Sequence, residues 1–179
     1  DEIAWDKLGD YEVKVGFDGK TYTSTLRIVD TTAPAPDMIP VAVLKGGKIE
    51  AKDIPLSDGD ASEVSYEFTS EPILSKVGTV SCGIKATDAV GNSSDIRAKI
   101  IVCDAIAELE ASMDMVTERD VLATLGEDYA GYKLESAAFE RTALGAHAMV
   151  FSKGSDRITV GVVIKDTVAP TAEGIDCQC

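Results

Sequence analysis

Residues Leu8-Gly9 through Ala33-Pro34 align without a gap on Leu144-Gly145 through Ala169-Pro170, at a constant offset of 136. A second offset, 67, sets Lys48–Ile54 on Met115–Val121 and Val77-Gly78 on Leu144-Gly145. A chain that restates itself at fixed spacing is built of small like units, and each must bury its apolar face alone or against a neighbour. Two complete units flanked by two incomplete ones are predicted. The expected layout is the closing part of one unit over 1–30, complete units over 31–103 and 104–166, and the start of a further unit over 167–179. Residues 1–30 are then the closing half of a unit whose opening strands are absent, and their apolar face needs cover. Each complete unit spans about 60–75 residues, just enough to bury a working core.

The end of each unit alternates at period two. Tyr11, Val13, Val15 and Phe17 carry the apolar side of one strand, and Asp18-Gly19 suits a tight turn with positive φ. Thr21–Val29 returns as a β-branched strand that ends at Asp30 and the Ala33-Pro34 break. The last copy repeats this with 147–151, a turn at 153–156 and 157–164. In the middle copy Thr79–Ala86 should pair with Asp95–Val102, with a longer loop around Asp88–Ser93. An isolated hairpin is marginal, so the preceding half of each unit is expected to supply a facing sheet. Asp104–Leu125 competes with this scheme, because Ile106, Leu109, Met113 and Val116 recur at helical spacing. The offset of 67, which sets Val116 on Ile49 and Asp120 on Asp53, favours the strand path of the middle copy, with a helix near the start of 104–166 as the competing reading.

The net charge of -14, from 31 acidic and 17 basic residues, opposes binding to phosphate backbones and anionic membranes. Nucleic acid is therefore not an expected partner. No apolar run reaches the roughly 18 residues of a membrane-spanning helix, so no membrane insertion is expected in this segment. Cys82, Cys103, Cys177 and Cys179 show no zinc-type spacing. In the predicted hairpin Cys82 faces about residue 99, roughly 13 Å along the strand from Cys103, so a bridge between them is disfavoured.

Gly78-Thr79-Val80 through Lys85-Ala86-Thr87-Asp88-Ala89-Val90-Gly91-Asn92, together with the Asp30-Thr31-Thr32-Ala33-Pro34 junction, resembles the bacterial immunoglobulin-like repeats of secreted and wall-attached proteins. It is similar to the hyalin-repeat group among them. The likeness is best in the middle copy and poorest over 104–132, and the last copy lacks the Thr-Asp-x-x-Gly-Asn turn. It implies an all-β fold of tandem immunoglobulin-like β-sandwich domains, seven-stranded or similar, serving as stalk, spacer or adhesive module. A Lys to Asn crosslink of the kind found in some wall-attached sandwiches is disfavoured, because the sole asparagine, Asn92, falls in the turn.

No catalytic, cofactor-binding or metal-binding residues are assigned. His147 is the only histidine, and its counterpart in the first copy is Tyr11, a plain strand position. Asp88–Asn92 with Asp30 or Asp104 could gather oxygen ligands for calcium. The simpler reading gives Asp88 to the loop's own N–H groups, with Gly91-Asn92 left-handed. Trp5, Tyr66, Tyr129 and Tyr132 are the aromatics available to anchor a protein or sugar, and two exposed aromatics on one face would favour adhesion. The expected function is a non-catalytic spacer segment of a bacterial protein, secreted or attached to the cell wall, joined to other domains of the same chain. The alternative is a binding module for a host protein or glycan.

Overall fold

A computed structural model describes residues 7–54, 56–57, 63–136 and 139–169. Trp5, Cys177 and Cys179 lie outside the described residues. The described chain is all-β apart from one short α-helix and two 3-10 turns.

Strands β1 (Gly9–Phe17) and β2 (Lys20–Ile28) form the first hairpin, with Gly9 opposite Ile28 and Phe17 opposite Lys20. Asp18 and Gly19 carry φ of 49° and 70°, the paired positive values of a type I′ turn, whose twist matches that of the strands it joins. Next come β3 (Asp37–Met38), β4 (Val41–Leu44), a 3-10 turn over Ala51–Asp53, β5 (Leu56–Ser57), β6 (Val64–Ser70), β7 (Gly78–Asp88) and β8 (Ser93–Cys103). Four of these strands make a sheet in the order β4-β8-β7-β6, with β4 parallel to β8 and the other pairs antiparallel. Beyond a single residue, Asp104, follow β9 (Ala105–Glu110), helix α1 (Glu118–Leu125), a 3-10 turn over Glu127–Tyr129, β10 (Lys133–Leu134), β11 (Gly145–Lys153) and β12 (Asp156–Lys165). They form a second sheet, β10-β11-β12-β9, again with its first strand parallel to its last.

The three hairpins share one register. Gly9 faces Ile28, Gly78 faces Val102, and Gly145 faces Ile164. All three glycines have positive φ, at 147°, 141° and 92°, so the Leu-Gly or Val-Gly pair of each copy marks a backbone kink that a side chain would strain. The longer middle loop, closed by Asp88 N–H donating to Asn92 O, leaves this register intact.

Each sheet buries one face. In the first, Cys82, Ile84, Ala98, Ile100 and Val102 pack with Ala51 and Ile54 of the 3-10 turn and Met38 of the β3–β5 ladder. In the second, Met149, Phe151, Val160, Val162 and Ile164 pack with Val116 and Val121 at the start of α1. Phe151 is fully buried, worth about 3 kcal/mol in water-exclusion terms. The first core is covered by a small facing sheet, the two-stranded β3–β5 ladder, together with the capped turn, as the sequence leads one to expect; over the second core a helix takes that place.

The strand path expected for Met115–Val121 is therefore corrected. Asp104–Leu125 divides into strand β9 and helix α1, and the segment matched to it at offset 67 is helical as well. Thr117 caps α1 with Asp120 at its third position, and Glu50 caps the 3-10 turn with Asp53 at the same place. The Thr117 N–H donates to Asp120 Oδ2 at 2.9 Å and the Glu50 N–H to Asp53 Oδ2 at 3.0 Å. One capped turn, followed by a buried Ile54 or Val121, underlies the sequence match.

The two sheets also meet each other. Ile101 and Cys103 point away from the first core and pack on Ala146, with Ala42, Ile106 and Val163 around them. Small residues permit the approach: a Cβ on Gly161 would lie 2.8 Å from both Ala42 Cβ and Cys103 Sγ. The Ala146 N–H donates to Pro40 O at 2.7 Å across the same contact. The second sheet thus covers one end of the first sheet's other face, at Ile101 and Cys103, while Thr79, Ser81, Lys85, Arg97 and Lys99 on that face stay exposed.

Candidate functional site

The loop at Asp88 is the most elaborate polar construction near a junction. Asp88 is 5% exposed, and its Oδ1 accepts the N–H groups of Val90, Gly91 and Asn92 at 3.0, 2.7 and 2.8 Å. Its Oδ2 accepts the Asn92 side-chain amide at 2.8 Å. Burial by itself raises the Asp88 pKa, but the Asn92 amide and the three loop N–H groups outweigh it and hold the carboxyl below its usual range. Gly91 alone takes positive φ, at 98°, which narrows the expectation of a left-handed Gly91-Asn92 pair. Asn92 Nδ2 also reaches Asp30 O at 3.2 Å, and the Ser94 hydroxyl donates to Pro34 O, so the loop grips the preceding junction.

This geometry separates the candidate calcium ligands. Asp30 meets the loop through its backbone carbonyl, while its Oδ1 accepts the Thr32 N–H at 3.0 Å. Asp104 sits at the other end of β8, where its Oδ2 accepts the Thr159 N–H at 2.8 Å and its own N–H donates to Thr159 O. Among the described residues no three His, Cys, Asp or Glu side chains group so as to hold a metal ion.

His147 is half-buried at the start of β11, stacked on Phe139 at 4.2 Å between ring centroids, with Nε2 2.7 Å from Ala143 O. Its counterpart Tyr11 donates its hydroxyl to Lys7 O at 2.9 Å, again four residues back. Both side chains latch the bend that leads into a hairpin. Cys82 and Cys103 are free and buried, and burial pushes both thiols up, away from the reactive thiolate. Cys82 faces Ala98, one residue from the sequence expectation.

Of the aromatics named from sequence, the three that are described are half-buried. Tyr66 packs against the first core, and Tyr129 and Tyr132 against the second, where the Tyr132 hydroxyl donates to Asp156. Two others stand out instead: Phe17 is 72% and Tyr22 53% exposed, on one face of the β1–β2 hairpin with Val15 at 56%. The alternation of β1 already placed Phe17 on that face, but its exposure depends on cover that the sequence pattern cannot show.

The structure defines an all-β protein of layered sheets, and no helix among the described residues is long and apolar enough to cross a membrane. No family model and no curated protein matches the chain. Among solved structures, a Rib structure from Streptococcus pyogenes aligns at 19% identity over 38% of this chain and 90% of its own, with a TM-score of 0.34. An endo-fucoidan hydrolase of glycoside hydrolase family 107 aligns at 12% identity over 90% of this chain and 35% of its own, with a TM-score of 0.23. Neither likeness is close enough to carry an argument about family or activity.

Proposed function

We propose that the chain is a non-catalytic structural segment of a bacterial extracellular or cell-surface protein, a row of immunoglobulin-like units that holds another module at a distance. The observation that carries this reading is the join between the two sheets. Strand β8 ends at Cys103 and β9 begins at Ala105, so one residue links them, and Asp104 is pinned by two hydrogen bonds to Thr159. Packing of Ile101 and Cys103 on Ala146 then leaves little freedom for hinge motion. A spacer needs such stiffness, whereas a lid or clamp needs a hinge. The bacterial surface setting rests on the sequence resemblance of the Gly78–Asn92 string and the Asp30–Pro34 junction.

The test is rotational diffusion. Backbone relaxation should give the two sheets a single correlation time, and Gly161→Val, which forces a branched side chain between Ala42 and Cys103, should split it and cost about 1–3 kcal/mol in urea unfolding. Two independent correlation times in the unaltered chain would sink the spacer. A second reading, an adhesive module, draws on the exposed Phe17 and Tyr22.

A further inference from the structure

The exposed face of β1–β2 has counterparts in the same register elsewhere in the molecule. Val13 corresponds to Cys82 and Met149, Val15 to Ile84 and Phe151, Leu26 to Ile100 and Val162, and Ile28 to Val102 and Ile164. In the two later hairpins all eight of these side chains are 3% exposed or less. In the first hairpin Val15 is 56% exposed, and no core cluster among the described residues includes a residue of β1 or β2. One face is therefore core in two copies, while in the third Val13, Leu26 and Ile28 are only half-buried and Val15 is exposed, with no described core packed on them.

Both existing covers follow one plan. A first strand adds parallel beside the closing strand, β4 on β8 and β9 on β12. A capped turn then lays an aliphatic residue on the face, Ile54 after the Glu50 cap and Val121 after the Thr117 cap. In each case the cap residue stands 28 positions ahead of the hairpin glycine, Glu50 before Gly78 and Thr117 before Gly145. A last strand, β6 or β10, pairs antiparallel on the other edge. In β1–β2 both outer edges match those that accept these strands.

We propose that the β1–β2 face is an acceptor site for an opening half-unit of this same plan, joined ahead of the hairpin. Its occupant is a parallel strand beside β2, a capped turn whose aliphatic residue seats against Val13, Val15 and Leu26, and an antiparallel strand beside β1. The match is chemical as well as geometric. The face is aliphatic and aromatic, and the existing covers present Ile54, Val116 and Val121 to its counterparts. Tyr22 and Phe17 are then core-edge side chains awaiting that layer. The inference rests on the unit-by-unit reading above, but it fails separately: a rigid pair of later sheets with a β1–β2 face that refuses cover would keep the spacer and lose the acceptor site.

The experiment places a reporter thiol on the face. Val15→Cys is made in a chain with Cys177→Ser and Cys179→Ser, where Cys82 and Cys103 are buried, and maleimide labelling is timed. The same reporter is then read in two extended chains, one carrying a copy of residues 31–76 and the other of 104–143 ahead of Leu8. Fast labelling in the 179-residue chain, slowed at least tenfold by either graft, is the expected result. The slowing should vanish when the grafted aliphatic residue, equivalent to Ile54 or Val121, is Asp. Unchanged labelling in both grafts overturns the proposal. So does a reporter already protected in the unextended chain with sedimentation as a dimer, which would assign the face to a second copy.

Discussion

Asp120 does the work of three residues at the entrance to α1. Its carboxylate accepts the N–H and hydroxyl of Thr117 at 2.9 and 2.7 Å and pairs with Arg141 at 2.7 Å, a guanidinium only 18% exposed. The Thr117 hydroxyl bond, the largest contributor, and the Arg141 charge hold the Asp120 carboxyl below its usual range against the opposing effect of burial. Removing it strips the helix of its box partner and leaves Arg141 without its carboxylate. Asp120→Ala should therefore cost about 2 kcal/mol, combining a lost cap with a stranded, largely buried charge. Asp53 fills the same place in a single exposed turn and has no arginine, so Asp53→Ala should cost less than about 1 kcal/mol. Urea unfolding of the two variants checks the ranking, and equal losses would mean that Arg141 contributes nothing.

At the scale of elements, the hairpins were legible in the sequence and their covers only in part. Period-two alternation, a turn pair and a kinked glycine all act within about twenty residues, so β1–β2, β7–β8 and β11–β12 follow from local chemistry. The strand path that the repeat favours for 115–121 fails because a repeat reports which residues correspond, not what they form; the signal that settles it is the Thr117-x-x-Asp120 box, shared in form by Glu50 and Asp53. The sheet-to-sheet contact left a subtler trace. Ile100, Ile101, Val102 and Cys103 form an unbroken apolar run, the mark of a strand covered on both faces, where a half-exposed strand would alternate. The Asp88 loop was anticipated because a short carboxylate ahead of a Gly-containing turn finds its acceptors locally, whereas the exposure of Val15, Phe17 and Tyr22 depends on segments far off in sequence. These differences in cover predict a hierarchy of opening. Amides of β1–β2 should exchange with deuterium at least about a hundredfold faster than those of β7–β8 and β11–β12, since no core among the described residues packs on them to hold them closed. Comparable protection in all three hairpins would contradict it.

Across the whole molecule, acidity sets two opposing effects whose order can be worked out. Asp88, Glu110, Glu118 and Asp120 are all held below their usual range in the folded state, Glu110 chiefly by the Thr167 N–H and Glu118 chiefly by the Leu134 N–H. A carboxyl whose folded pKa is depressed adds stability above its unfolded value and loses it as pH falls through the folded value. Unfolded carboxyls titrate near pH 4, so this contribution is complete at pH 6 and erodes below about pH 4. The net charge of -14 works the other way. Its self-repulsion weakens as the first carboxylates protonate, and added salt screens it at neutral pH. The melting temperature should accordingly rise with salt at pH 7, hold or climb slightly towards pH 5, and then fall steeply below about pH 4. The acid limb has structural addresses: Glu110 clasps Thr167 through its N–H and hydroxyl, both at 2.7 Å, and Glu118 joins α1 to Leu134 at 2.8 Å. Glu118→Gln should flatten that limb while lowering stability at pH 7, because an amide oxygen still accepts the Leu134 N–H but has no charge to lose. A chain equally stable at pH 3 and pH 6 would show that these carboxylates are bystanders and that charge repulsion alone governs its response to acid.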